Sequence, residues 1–187
     1  MKKYLEILED HKTLQTDRLI LRPMTLDDAE DMFEYASDAR TVKYLLFDPH
    51  ESIDVSSMVI TNNFLGKAGM YGIVLKETDK VIGTIDIRPD DENQKASFGY
   101  VINKKYWNKG YMTEALNCIL NVCFDILKVH RVESTHYDGN VASGKVMQKC
   151  GMKYEGTAVD ELIIKGEFVT VLHYAILKNE WEMVKNK

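Results

Sequence analysis

Residues 98–115 carry the sequence FGYVINKKYWNKGYMTEA, which runs from a β-type segment through a polar loop into an amphipathic helix. The first turn of such a helix has unpaired backbone N–H groups and a partial positive charge, so it offers a site for phosphate oxygens. Gly110 permits a positive φ or a close approach of the backbone to a bulky anion, and Lys109 adds a full positive charge. The segment therefore predicts an anion site at the start of the helix. A plain loop-to-helix junction, in which Gly110 serves only the turn, fits the same spacing.

Alternating and helical patterns on either side of this segment predict a mixed fold. Strands are expected at residues 18–22, 71–75, 81–87, 97–102 and 131–137, with two more around Gly166. Helices are expected after Thr25, after Ser52, and over residues 113–127 and 141–150, with residues 1–14 as an additional N-terminal helix. Because no Pro/Gly/Ser-rich linker divides the chain, residues 1–187 are predicted to form one α/β domain.

The composition argues against several classes of protein. Apolar residues make up 45% of the 187 residues and charged residues 28%, which suits one packed core. The 24 basic and 29 acidic residues are mixed along the chain and give a formal charge of −5, so no basic tract can follow a nucleic-acid backbone. No apolar run reaches membrane-spanning length, and no signal-peptide pattern is found. We therefore expect a cytoplasmic protein without a nucleic-acid or membrane partner.

The three cysteines, Cys118, Cys123 and Cys150, lack the paired spacing of a zinc site. Their odd number leaves one thiol unpaired in any disulfide scheme. The expectation is reduced thiols in the core and no bound metal.

Three stretches in this order carry a resemblance to a known family. Residues 107–115, WNKGYMTEA, resemble the acetyl-CoA pyrophosphate signature of the GNAT acetyltransferases, Gln/Arg-x-x-Gly-x-Gly/Ala, with Trp107 in the first position and Met112 in the last. Residues 16–23, TDRLILRP, and residues 140–156, NVASGKVMQKCGMKYEG, resemble the opening strand and the second diagnostic block of the RimJ/RimL branch. That branch contains the ribosomal-protein N-terminal acetyltransferases.

The resemblance implies a GNAT fold, in which a mixed, mostly antiparallel central sheet is splayed in its middle and flanked by about four helices. It also implies direct transfer of an acetyl group from acetyl-CoA to a primary amine. Asn140 and Ser143 are implied as cofactor contacts near the pantetheine arm and the thioester sulfur, and Ser143 also as the acid that protonates the departing thiolate. Helix capping is the alternative role for both. The other implied cofactor contacts are Tyr100, Val101, Ile102, Trp107, Asn108, Lys109, Gly110, Tyr111, Met112 and Thr113.

The general base is not obvious from the sequence. Ser97 and Thr170 stand where many relatives have acidic residues. The remaining candidates include His136, whose side chain suits proton transfer near neutral pH but is more often structural when it stands alone on a strand. The other three are Asp86, Asp138 and Glu161. A site without a strong base favours an α-amine acceptor, such as a peptide N-terminus, over lysine.

Several questions stay open at this level. The missing acidic residues leave a non-catalytic acyl-CoA-binding or sensing module as the second hypothesis. A P-loop in residues 139–145, GNVASGK, is disfavoured because Val146 stands where Ser or Thr must hold Mg²⁺. A polyamine or another small amine could be the acceptor, and the protein could be a monomer or a homodimer. Four aromatic residues are expected to wall the acceptor site or to pack in the core, namely Tyr35, Tyr44, Phe47 and Tyr71.

Overall fold

The computed structural model describes residues 3–185, and within that range it holds seven α-helices and ten strands. The helices are α1 (Tyr4–Glu9), α2 (Ala29–Ala36), α3 (Ala39–Val42), α4 (Ile53–Asn63), α5 (Tyr111–Asn121), α6 (Val141–Lys149) and α7 (Lys178–Lys185). The strands are β1 (Leu14–Gln15), β2 (Leu19–Arg22), β3 (Met70–Leu75), β4 (Lys80–Asp86), β5 (Arg88–Asp90), β6 (Lys95–Ser97), β7 (Tyr100–Ile102), β8 (Arg131–Tyr137), β9 (Lys153–Ile164) and β10 (Glu167–Leu177).

The strands form two five-stranded sheets. The first sheet has the order β1-β2-β3-β4-β7, and all of its neighbours are antiparallel. The second has the order β5-β6-β8-β10-β9, in which only the β6–β8 pair is parallel. Because β6 and β7 follow each other directly in the chain, one stretch of backbone passes from the second sheet into the first.

That passage takes place at Phe98 and Gly99, where the backbone groups keep hydrogen-bond partners. The Gly99 N–H donates to a carboxylate oxygen of Asp86 at 2.9 Å, and the Asp86 N–H donates to the Gly99 carbonyl at 3.0 Å. The Ser134 hydroxyl donates to the Phe98 carbonyl at 2.8 Å. The parallel pairing of β6 with β8 ends at Ser97 and Glu133, so β7 and β8 diverge beyond it. We call the opening between β7 and β8 the cleft.

Two hydrophobic cores lie on opposite faces of the first sheet. The larger core joins α1, α5 and both sheets, and it extends to α7, where the Trp181 and Phe124 rings stack with centroids 5.9 Å apart. The smaller core packs α2 and α4 against the other face through residues such as Met32, Ile60 and Val81. The cleft therefore opens between a face covered by α5 and α6 and a face beside α2.

The main elements of the predicted fold are confirmed. Ser52 caps α4 by accepting the Val55 N–H at 3.3 Å, and α6 ends before Gly151, which has a φ of +86°. The predicted strand at residues 97–102 is in fact the kinked pair β6 and β7. The predicted N-terminal helix is shorter, and its first residues, Met1 and Lys2, lie outside the described residues.

The predicted helix at residues 113–127 begins earlier, at Tyr111, and its last part, Val122–Leu127, is π-helical. Helices α3 and α7 were not predicted. Within residues 3–185, none of the helices has the length and apolar character required to cross a membrane.

Candidate active site

The loop before α5 has the geometry of an anion site. Gly110 is the N-cap of α5 with a φ of +81°, and Asn108 is also left-handed with a φ of +60°. The Glu114 N–H donates to the Gly110 carbonyl at 3.0 Å as the first helical bond, so the N–H groups of residues 111–113 have no carbonyl in a preceding turn. We call residues 108–113 the α5 corner. Its backbone donors, the helix dipole and Lys109 fit the diphosphate of a CoA molecule.

Aromatic side chains brace the loop that leads into the α5 corner. The Trp107 indole N–H donates to the Ile102 carbonyl at 2.8 Å, which ties the loop back to the end of β7. The Lys109 ammonium lies 5.2 Å from the centroid of the Tyr106 ring. Trp107 was predicted as a cofactor contact, and in the structure its indole N–H is used by the protein itself.

The cleft is lined on one side by the free backbone edge of β7, and a pair of hydrogen-bonded hydroxyl groups spans it. Residues Tyr100 to Ile102 pair with β4 along one edge of β7, and the opposite edge faces the cleft. The Tyr100 hydroxyl lies 2.9 Å from the Ser143 hydroxyl and 3.0 Å from the Ser143 carbonyl oxygen. Burial raises the pKa of Tyr100 above its ordinary value, so this phenol stays protonated at neutral pH.

The two predicted residues of α6 have different partners. Asn140 is the N-cap of α6, and its side-chain oxygen accepts the Ser143 N–H at 3.4 Å. The Ser143 hydroxyl instead bonds to Tyr100. Asn140 therefore caps α6, whereas the Ser143 hydroxyl bonds to Tyr100 and not to the helix backbone, and its role as an acid stays a prediction.

His136 lies under α6 and is tightly packed. It is buried, its Nδ1 atom is 2.9 Å from the Tyr137 carbonyl oxygen, and its ring centroid is 5.5 Å from that of Tyr174. A β-carbon added to Gly144 would lie 2.6 Å from His136 Nε2, so α6 approaches the imidazole as closely as a glycine allows. These contacts describe a packing residue, and a catalytic role for His136 stays a prediction.

The three carboxylates predicted as candidate bases differ in their burial and in their hydrogen-bond and ion-pair partners within the protein. Asp86 holds the kink at Gly99 and an ion pair with Arg88 at 2.8 Å, and burial raises its pKa. Asp138 is exposed at the end of β8, where it accepts the Gly139 N–H at 2.9 Å. Glu161 lies 2.8 Å from His173 Nε2 on the hairpin of β9 and β10.

The pairing of Glu161 with His173 was missed by sequence reasoning. It depends on a bulge in β9, where the register shifts between Val169 and Val171 and where Asp160 has a φ of +52°. His173 faces away from α6, because its neighbour Tyr174 packs toward α6. No spacing in the sequence indicates such a bulge, so the pair could not be found in advance.

The four aromatic residues expected near an acceptor fall into two groups. Tyr35 and Tyr71 are buried in the two cores. Tyr44 and Phe47 lie in the loop after α3, and the Tyr44 hydroxyl donates to the Gly139 carbonyl at 3.0 Å. The loop is also tied to the β9–β10 turn, since Lys165 lies 3.3 Å from Asp48. Tyr44 therefore borders the end of β8, and the Phe47 ring lies 5.2 Å from that of His50, whereas Tyr35 and Tyr71 serve the cores.

The P-loop alternative is not supported by the fold. Residues 139–145 form the cap and first turns of α6 rather than a phosphate-binding loop, and Lys145 is exposed. The strand before them, β8, lies between a parallel and an antiparallel neighbour. A nucleotide-binding domain of this type needs a mostly parallel sheet.

The splayed sheet, with the α5 corner at the end of β7, is the arrangement expected of an acyl-CoA-dependent transferase. In agreement, residues 18–153 match the family described as "Acetyltransferase (GNAT) domain". Because that match covers more than half of the chain, the protein belongs to the GNAT acetyltransferases. It is an acyltransferase, and the acetyltransferases of this family use acetyl-CoA as the acetyl donor.

Individual relatives agree with this assignment. The chain is 33% identical over 175 residues to an uncharacterised N-acetyltransferase of Bacillus licheniformis, covering 91% of this chain and 98% of the relative. It is 24% identical over 185 residues to the [ribosomal protein uS5]-alanine N-acetyltransferase of Escherichia coli (strain K12), covering 90% and 92%. A solved GNAT-family acetyltransferase from Bacillus anthracis superposes with a TM-score of 0.82 at 28% identity, covering 89% of this chain and 99% of that one.

Proposed function

We propose that this acetyltransferase acts on a primary amine, with the α-amine of a protein or peptide N-terminus as the favoured acceptor and a small-molecule amine as the second choice. The observation that carries the proposal is the cleft, which has the α5 corner at the end of β7 and the Ser143 hydroxyl across it. We place the protein in the RimJ/RimL branch, in line with its similarity to the uS5-alanine N-acetyltransferase.

The proposed cofactor contacts use mostly backbone groups. The α5 corner would hold the diphosphate of acetyl-CoA, and the free edge of β7 would bond to the pantetheine arm. Acetyl-CoA supplies an activated acyl carbon. The backbone N–H groups along Tyr100 to Ile102 are the donors proposed for the oxyanion that forms at that carbon.

The proposed reaction is a direct transfer. A neutral amine attacks the thioester carbonyl carbon, so a C–N bond forms and the C–S bond breaks. The sulfur leaves as a thiolate and takes its proton from the Ser143 hydroxyl, which recovers a proton from solvent, and the new ammonium loses its proton to solvent or to a carboxylate. Tyr100 supports this role by positioning Ser143, since its phenol donates to the Ser143 carbonyl oxygen at 3.0 Å and lies 2.9 Å from Ser143 Oγ.

The acceptor preference follows from the cost of deprotonation. An α-amine has a pKa of about 7.7 to 8.0 and a lysine amine a pKa of about 10.4, so a neutral lysine costs about 3.5 kcal/mol more at neutral pH. Two of the candidate bases, Asp138 and Glu161, are not bound to the kink as Asp86 is, and their side chains are exposed or half-exposed. A site with no buried carboxylate base among these two residues favours the acceptor whose deprotonation costs less.

An acceptor screen tests this proposal. Release of CoA thiol is followed with a peptide that has a free N-terminus, with its N-blocked counterpart containing lysine, and with a polyamine. We expect the free N-terminus to give the highest kcat/KM. Modification of lysine alone would contradict the α-amine preference, and CoA binding without turnover on any amine would favour the sensing module.

We further propose that the protein works in the cytoplasm, as a monomer or a homodimer. All three cysteines lie in the described residues and are free thiols. Burial raises the pKa of both Cys123 and Cys150 to about 12, so these thiols are unreactive at neutral pH. Unpaired, buried thiols are typical of a reducing compartment.

A further inference from the structure

Arg18 joins the start of the chain to the α5 corner, although nothing in the sequence assigned it a role. Its Nη1 atom donates to the Lys109 carbonyl at 3.0 Å, and its Nε atom donates to a carboxylate oxygen of Glu114 at 2.6 Å. The guanidinium carbon lies 4.4 Å from the centroid of the Tyr111 ring. One side chain therefore contacts the residue before Gly110, the residue after it, and the first turn of α5.

The contact with Lys109 fixes the direction of the next N–H group. The described residues contain no cis peptide bonds, so the C=O of Lys109 and the N–H of Gly110 point to opposite sides of one planar unit. Because Arg18 holds the C=O, the Gly110 N–H must point away from the guanidinium. Gly110, with its φ of +81°, allows the chain to enter α5 from that orientation.

The contact with Glu114 compensates a negative charge near the anion site. Glu114 lies in the first turn of α5, where its carboxylate accepts from the Thr16 hydroxyl at 2.6 Å, the Arg18 N–H at 2.8 Å and the Arg18 side chain. Burial opposes ionisation of Glu114, but these bonds outweigh it and hold its pKa below the ordinary value. Without Arg18, this ionised carboxylate would face an incoming phosphate with less compensation.

We propose that Arg18 is a positioning residue for the CoA diphosphate, acting by orienting the Lys109–Gly110 peptide and by neutralising Glu114. The inference rests on the proposed CoA site in the α5 corner. Arg18 acts through the loop, and the ligand is held by backbone N–H groups. A lysine cannot reproduce this arrangement, because one ammonium lacks the planar fork that reaches a carbonyl and a carboxylate together.

Isothermal titration of the full chain with CoA tests the proposal without knowledge of the acceptor. Arg18→Gln is expected to weaken CoA binding about tenfold or more, the loss associated with a charge-assisted contact. Arg18→Lys is expected to give a smaller loss and serves as the second variant if Arg18→Gln does not fold. The double variant Arg18→Gln/Glu114→Gln is expected to recover part of the affinity, because it removes the uncompensated carboxylate.

Arg131→Gln is the matched control. Arg131 also bridges two carboxylates, those of Glu133 and Glu155, but it lies in β8 on the second sheet and has no hydrogen bond to the α5 corner. We expect this variant to lose thermal stability and to keep its CoA affinity. If folded Arg18 variants bind CoA as tightly as the control, Arg18 is only a structural brace and the inference is overturned. If the unaltered protein does not bind CoA, the proposed function itself fails.

Discussion

Replacing Gly110 by valine tests the α5 corner most directly. At a φ of +81°, a residue with a β-carbon costs about 1–2 kcal/mol in backbone energy, and a β-branched residue costs more. The added β-carbon would meet Arg18 Nη2 at 3.4 Å, so space alone does not forbid it. We therefore expect the variant to fold and the loop to relax away from its left-handed conformation.

Relaxation of the loop misaligns the N–H groups that would bind phosphate. Loss of one hydrogen bond to a charged group is worth about 1.5–3 kcal/mol, which corresponds to a loss of CoA affinity of about 10- to 150-fold. Titration calorimetry with CoA measures this loss. A melting curve without ligand measures the loss of stability, for which we expect a fall in Tm of about 2–8 °C.

Gly66→Val provides the control for backbone strain. Gly66 has a φ of +68° and open space around its β-carbon position, and it lies between α4 and β3, away from α5. The two variants should lose similar stability, and only Gly110→Val should lose CoA affinity. If folded Gly110→Val binds CoA within about twofold of the unaltered protein, the diphosphate does not bind at the α5 corner and the proposed chemistry has no site.

Three further predictions concern catalysis and stability. Ser143→Ala should leave the Kd for CoA unchanged and lower kcat about a hundredfold, as measured by single-turnover kinetics. Of Glu161→Gln and Asp138→Asn, the variant that removes the base should lower kcat/KM for the amine, while the other stays active. Asp28→Asn should cost about 1.5–3 kcal/mol in urea unfolding, because it breaks the charge-assisted hydrogen bonds of a part-buried pair with Arg22 at 2.8 Å.

The Asp28 prediction has a pH dependence of known sign. Burial opposes ionisation of Asp28, but hydrogen bonds from Arg22 and Thr25 outweigh it and lower its pKa. A carboxyl whose pKa is lowered in the folded state stabilises the protein above its unfolded pKa of about 3.9. This stabilisation is lost progressively as the pH falls below that value. The difference between the unaltered protein and Asp28→Asn should therefore shrink as the pH falls from 5 to 3.

Each of these predictions has a contrary result. Normal turnover by Ser143→Ala would leave the thiolate without its proposed acid. Equal activity of Glu161→Gln and Asp138→Asn would mean that water alone accepts the proton. A stability difference for Asp28→Asn that does not shrink between pH 5 and pH 3 would show that packing, rather than the charge, makes this residue important.

The order of the elements could be predicted from the sequence, because local patterns decide it. The alternation over residues 131–137 gave β8 with its observed bounds, and the Ser52 cap marked the start of α4. These features depend on neighbours within a few residues. The family resemblance implied a splayed sheet, but local patterns could not place the kink at Phe98 and Gly99. A strand pattern does not tell which neighbour each edge takes, and here Ser97 pairs with Glu133 while Tyr100 pairs with Ile85.

The candidate site was predicted to a similar extent. Gly110 and Ser143 carry local signals, one in a loop before a helix and one in the first turn of another. The partners that give them geometry are distant in the chain: Arg18 lies 91 residues from Lys109, and Tyr100 lies 43 residues from Ser143. The pairing of Glu161 with His173 depends on a bulge in β9 that no residue type in the sequence predicts. Contacts of this kind become visible only when the backbone path is known.

The kink between β6 and β7 has a consequence for how such proteins diversify. Since the backbone itself changes sheets there, the opening is set by main-chain pairing and by the Asp86 and Ser134 side chains that bond to the kink. Residues around the entrance of the cleft, such as those of the loop after α3, can then be substituted during evolution without closing the cleft to the acetyl donor. A lineage can acquire new acceptors while it inherits the same donor, with specificity and chemistry altered independently.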